Sequence, residues 1–183
     1  MKPQPTLTTE RLTLRPLQAT DAATVQALAG DYRIAAMTEN IPHPYIDGMA
    51  ESWIETLKPG WDKRALATFA VCLSDYEKQI GCCGLIINRK HNRGSLGYWI
   101  GADYWGNGYC TEAATELIAF GFNELKLHRI EAQHLSKNPA SGAVMRKIGM
   151  THEATFRQYT LKEERYEDME MYSIFTGTVH AGK

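Results

Sequence analysis

From Arg11 to Leu17 the chain alternates, with Leu12, Leu14 and Leu17 set against Arg11, Thr13 and Arg15. A period of two predicts a half-buried strand, ended by Pro16 and the turn after it. Thr20 or Asp21 offers a side-chain oxygen to cap a short helix over Ala22 to Ala29. Residues 40–45 hold two prolines and no period, and read as irregular. A helix over Met49 to Leu57 follows, with Trp53, Ile54 and Leu57 on one face; Pro59-Gly60 is expected to stop it. Ala67 to Leu73 and Gln79 to Asn88 suit a pleated surface, and the short polar link between them predicts antiparallel neighbours. Lys90 to Gly94 reads as a turn, and Ser95 to Gly101 as a further strand.

The clearest helical period comes next. Ala114, Leu117, Ile118, Gly121, Phe122 and Leu125 recur at i, i+3, i+4 and predict an amphipathic helix. Arg129 to His134 is a short strand. Pro139 to Ile148 is a short helix, opened by Asn138-Pro139 and stopped by Gly149. Met150 to Arg157 and Met169 to Phe175 are two last strands. Together these predict an α+β fold: a mixed, mostly antiparallel central sheet of about seven strands flanked by about four helices, with one crossover covered by the central helix.

Composition narrows the function. Lysine plus arginine number 20 and aspartate plus glutamate 21 among 183 residues. That balance disfavours a protein built to grip phosphate backbones, so no direct nucleic-acid partner is expected. No apolar run reaches the roughly 18 residues of a membrane span, and the start MKPQPTLTTERL lacks a secretory apolar segment. The expectation is a cytoplasmic protein with no membrane partner. Cys72, Cys82, Cys83 and Cys110 form no C-x-x-C pair, so no metal is expected. Adjacent Cys82-Cys83 in an apolar run reads as packing in a reducing compartment.

Gly106-Asn107-Gly108 stands between a strand and the long helix. A helix N-terminus offers unpaired N–H groups and the positive end of the macrodipole, and glycines let the backbone approach a ligand. A Walker loop would need Lys and Ser/Thr after Gly106, where Asn107 and Gly108 stand. A dinucleotide fingerprint fails at Thr111 and would want a parallel βαβ unit, whereas the preceding strands read as antiparallel. A coenzyme A diphosphate loop is the third design.

Six segments carry a resemblance for that design. They are Thr9 to Pro16 with Asp21; Gly97 to Ile100; Tyr104 to Ala113; His128 to Ala132; Asn138 to Ser141; and Lys147 to Met150. In order and spacing the chain resembles the Gcn5-related N-acetyltransferase (GNAT) superfamily, and within it the RimJ/RimL-like ribosomal-protein N-terminal acetyltransferase branch. The resemblance implies a single acetyltransferase domain over 1–183, with a core at about 8–176. It also implies acetyl-CoA as co-substrate, a primary amine as acceptor, and a homodimer as one possible assembly.

The same resemblance places residues. Trp105, Gly108 and Cys110 fall on the family loop Q/R-x-x-G-x-G/A, with Cys110 departing from Gly/Ala. Backbone N–H groups of Gly106, Asn107, Gly108, Tyr109, Cys110 and Thr111 would hold the diphosphate. Tyr98, Trp99 and Ile100 match a strand that diverges from its neighbour and pairs with the pantetheine arm. Asn138 matches a coenzyme-contacting asparagine, or caps the helix at Pro139, or does both. Ser141 matches a serine near the coenzyme sulfur and is the candidate acid. An attacking amine must lose a proton; Glu112, Glu131 and His134 are the candidates to take it, and Glu112 alternatively serves the helix dipole. His43 is expected to line the acceptor pocket. The acceptor expected first is a protein N-terminal α-amine of ribosomal-protein type; the alternative is a polyamine, an amino acid or an aminoglycoside, and a polyamine would call for carboxylates such as Asp47, Glu51 and Glu55. A non-catalytic acyl-coenzyme sensor is the alternative from another class.

Overall fold

The computed structural model describes residues 3–75 and 77–177. Strands β1 (Leu7–Thr8), β2 (Leu12–Pro16), β3 (Leu66–Leu73), β4 (Lys78–Asn88), β5 (Arg93–Ile100), β6 (Arg129–Leu135), β7 (Thr151–Lys162) and β8 (Arg165–Phe175) form one sheet, ordered β1-β2-β3-β4-β5-β6-β8-β7. Neighbours pair antiparallel except β5 and β6. A parallel pair needs a crossover, and α4 (Tyr109–Asn123) supplies it. The other helices are α1 (Ala22–Ala29), α2 (Tyr32–Ala35), α3 (Met49–Asp62) and α5 (Pro139–Lys147).

Successive strand residues point to opposite faces, and two core clusters follow from that. Cys83 joins Leu12, Leu14, Phe69, Leu85, Leu117 and Met145, on the side of α4 and α5. Cys82 joins Ala22, Val25, Ala50 and Ile54, on the side of α1 and α3. The adjacent cysteines are therefore packing residues of two layers, and both are buried thiols. The apolar stripe of α4 reads as expected: Ala114, Leu117, Ile118, Gly121 and Phe122 are all buried.

The structure differs from the sequence expectation at four places. First, α3 continues through Pro59-Gly60 to Asp62. Tertiary packing draws it on: Trp61 stacks on Phe120 of α4 with centroids 6.4 Å apart. Gly60 lies so close to Leu66 that an added Cβ would sit 2.5 Å from its Cδ1. Second, α1 begins without a side-chain cap. The Asp21 carboxylate instead accepts from Arg15 Nη1 (2.7 Å), Arg15 Nη2 (2.8 Å) and the Gln18 amide (2.8 Å). Third, β7 and β8 extend into a long hairpin whose turn residues Glu163 and Glu164 both have positive φ. Fourth, β1 and α2 were not expected, which brings the described elements to eight strands and five helices.

Candidate active site

β5 and β6 pair from Arg93↔Arg129 to Leu96↔Ala132 and no further. Beyond that point β5 stays bound to β4 and β6 to β8. Their facing edges separate, and the gap opens into a cleft of about 1500 Å³. One end of the cleft is the turn into α4. Gly106 and Gly108 there have φ of +81° and +80°, a region that side chains disfavour. Around Gly108 an added Cβ would meet only Arg11 Nη2, at 3.6 Å, so the glycine answers a backbone need rather than crowding. The amides from Gly106 to Thr111 find no acceptor among the described residues. The indole Nε1 of Trp105 donates to Ile100 O at 2.6 Å and ties this turn to the end of β5. Trp105, Gly106, Gly108, Tyr109, Cys110 and Thr111 all line the cleft.

Where the strands part, Tyr98 points to the α5 side. Its hydroxyl lies 3.0 Å from Ser141 Oγ and donates toward Ser141 O at 3.2 Å. Burial, with Cys110 nearby, raises the Tyr98 phenol above its ordinary range. Burial also pushes the Cys110 thiol up to about 12, so it stays neutral at pH 7. Asn138 caps α5 through Oδ1 to the Ser141 amide, while its Nδ2 donates to Met37 O at 2.9 Å. The far end of the cleft is lined by Met37, Glu39, Ile41, Tyr45, Asp47 and Trp53. A strand edge that stops pairing beside a ring of free amides suits a long, polar, anionic ligand.

The sequence profile of the acetyltransferase (GNAT) domain family matches residues 11–151. The chain belongs to the GNAT acetyltransferase family. An uncharacterized N-acetyltransferase of Bacillus subtilis, YoaA, is 30% identical over 173 residues, 93% of this chain and 96% of its own. A GNAT-family acetyltransferase structure from Bacillus anthracis matches with a TM-score of 0.81 at 24% identity, covering 93% of this chain and 98% of that one. RimL, described as a ribosomal L7/L12 α-N-protein acetyltransferase in complex with coenzyme A, shares the fold with a TM-score of 0.84 at 15% identity over 91% and 95%.

Within this acetyltransferase the residues of the candidate site fall into three groups. Tyr98, Trp99, Ile100, Gly106, Gly108, Tyr109, Cys110, Thr111, Asn138, Ser141, Glu131 and His134 line the cleft. Glu131 is held by Arg129 Nε at 3.0 Å, with Arg93 at 3.8 Å. His134 donates from Nδ1 to Leu135 O at 2.8 Å, which leaves the lone pair on Nε2. That Nε2 is buried without a partner, against Gly142 of α5.

The second group lies beside the cleft. Asn107 spends its side chain on Tyr104 O and Trp105 O, and does not line it. Glu112 does not line it either. Its carboxylate accepts from Thr9 Oγ1 (2.6 Å), the Arg11 amide (2.9 Å) and Arg11 Nε (2.7 Å). Burial alone would raise the Glu112 pKa, but these bonds outweigh it and lower it. His43 packs edge-on against Tyr32, and Glu51 and Glu55 stay outside the cleft.

The third group was missed in the sequence. Arg11, Glu39 and Gln133 come to the site through contacts about a hundred residues long, such as Gln133 Nε2 to Glu39 Oε2 at 3.0 Å. No local pattern marks them. Arg11 alone had a signal, as part of the Thr9 to Pro16 segment, but not as a neighbour of the glycine turn.

Proposed function

We propose that this acetyltransferase carries the acetyl group of acetyl-CoA to a protein N-terminal α-amine. The observation that carries the reading is the unpaired gap between β5 and β6, which opens at one end on the free amides of the α4 turn and at the other on a mixed apolar and acidic mouth. The coenzyme fits the residues present: the turn amides would hold its diphosphate, and the edge of Gly97 to Ile100 would pair with the amides of its tether as an added strand. Acetyl-CoA supplies the activated thioester when bound. Ser141 Oγ holds a proton for the departing sulfur, and Tyr98 orients that hydroxyl. Edge N–H groups near Trp99 and Ile100 stabilise negative charge on the carbonyl oxygen. The acceptor loses its proton on the far side of the cleft, where Glu39 and Asp47 are held by the neutral amides of Gln133 and Gln26.

A peptide N-terminus suits a mouth with few carboxylates among apolar residues. Among the described residues three carboxylates, Glu39, Asp47 and Glu131, line the cleft; Glu131 is already paired with Arg129, and of Asp47, Glu51 and Glu55, which a polycation would call for, just Asp47 enters it. RimL, of the same fold, is described as acting on a ribosomal α-amine. Residues 8–176 form the core of one domain in this reading, and the buried thiols suit a reducing, cytoplasmic setting. The test offers acetyl-CoA with N-terminal peptides, polyamines and aminoglycosides, and measures released thiol. Release with peptides is expected. Release with polyamines alone overturns the acceptor, and tight coenzyme binding with no release on any amine turns the protein into a sensor.

A further inference from the structure

Arg11 lies in the turn between β1 and β2, yet every polar contact of its side chain is with the junction that opens α4. Nε donates to Glu112 Oε2 at 2.7 Å and Nη2 lies 2.6 Å from the same oxygen. Nη1 donates to Asn107 O at 3.0 Å. The guanidinium carbon stands 4.8 Å over the Tyr109 ring. One cation thus touches three residues of the turn between 107 and 112 without lining the cleft.

Glu112 poses the problem that this contact answers. A carboxylate in the first turn favours the helix dipole, but it also stands beside the amides from Gly106 to Thr111, where an anion is to bind. Left alone it would repel that anion. A brace made of backbone alone could fix the turn, but it would not cancel the charge.

We propose that Arg11 is a positioning residue of the coenzyme site, which neutralises Glu112 and pins the Asn107–Tyr109 turn so that its amides face a diphosphate. The proposal rests on the coenzyme reading above. It explains why two segments a hundred residues apart, Thr9 to Arg11 and Asn107 to Glu112, act as one site.

The test measures coenzyme A binding by calorimetry, melting temperature and steady-state kinetics for Arg11→Ala, Arg11→Lys, Glu112→Gln and the double variant Arg11→Ala/Glu112→Gln. Arg11→Ala is expected to weaken coenzyme A about tenfold, the scale of a lost charge-assisted contact. The loss should shrink as salt is raised, because the Glu112 charge left unpaired by the substitution is screened. It should fall on KM for acetyl-CoA rather than on kcat, and the double variant should recover part of the affinity. Arg11→Lys keeps the charge but not the fork, so it should lie between wild type and Arg11→Ala. Affinity within twofold for Arg11→Ala overturns the proposal. So does a loss that follows the melting temperature and is not relieved by Glu112→Gln. Wild-type protein that binds no coenzyme A overturns the underlying reading itself, a result distinct from both.

Discussion

Gly108 shows what a single residue contributes. Its φ of +80° places it where an L side chain costs about 1–2 kcal/mol, although there is room for a methyl group. Gly108→Ala should therefore weaken coenzyme A by about thirtyfold at most, with a small change in melting temperature; calorimetry showing no loss would detach this turn from binding. Ser141 and Tyr98 share a hydrogen bond at the parting of the strands. Ser141→Ala is expected to lower kcat more than it raises KM for acetyl-CoA, and Tyr98→Phe to do the same more weakly. A change confined to KM would reassign both to coenzyme binding. The glycines and the serine were legible in the sequence. The Tyr98 hydroxyl of β5 was not, because its partner comes from α5, distant along the chain.

Elements are legible where apolar residues recur or run together and illegible where they do neither. The α4 stripe and the strands β2 and β5 repeat apolar positions, while β3 and β4 are buried almost throughout and are marked by their runs of strand-forming residues. β7 is exposed at nearly every position and carries register shifts between His152 and Ala154 and between Phe156 and Thr160. Such an edge strand is held by its ladder to β8, not by apolar alternation, so its last residues had no signal. Side-chain pairs add to that ladder. Glu153 of β7 accepts from Arg129 Nη1 at 2.8 Å and from Ser173 of β8. The Arg129 bond, then the Ser173 bond, lower the Glu153 carboxyl to about 2. Its folded pKa lies below the ordinary 4.5, so its contribution is present above pH 4.5 and fades as pH falls toward 2. Comparing melting temperatures of wild type and Glu153→Gln across that window should show a gap that closes with acid. A gap independent of pH would remove the carboxylate from the account. On the other side of the sheet, Gly142→Ala would put a Cβ 2.7 Å from His134 Nε2. Overpacking of this kind costs about 1–3 kcal/mol, visible as a lowered melting temperature.

At the scale of the whole molecule, the sheet is incomplete by design of its crossover. β5 and β6 share four residue pairs and then part, which leaves polar backbone at the centre of the protein facing a cleft. A ligand that fills the gap binds the folded state alone and stabilises it. At a hundred times its dissociation constant, coenzyme A should add about 2.7 kcal/mol, or about 5–10 °C in melting temperature for a chain of this size. No shift at saturating coenzyme would contradict the proposed site. The periodic spacing of apolar residues and the strand–glycine–helix junction are local properties; from them the sequence by itself determined the α+β class and pointed to the junction where the coenzyme site is proposed. Tertiary structure alone decided that Glu112 pairs with Arg11, that Asn138 reaches Met37, that α3 runs past its proline, and which carboxylates enter the cleft. These are meetings of residues distant along the chain, settled by packing and charge pairing after the sheet has formed, and no periodicity announces them.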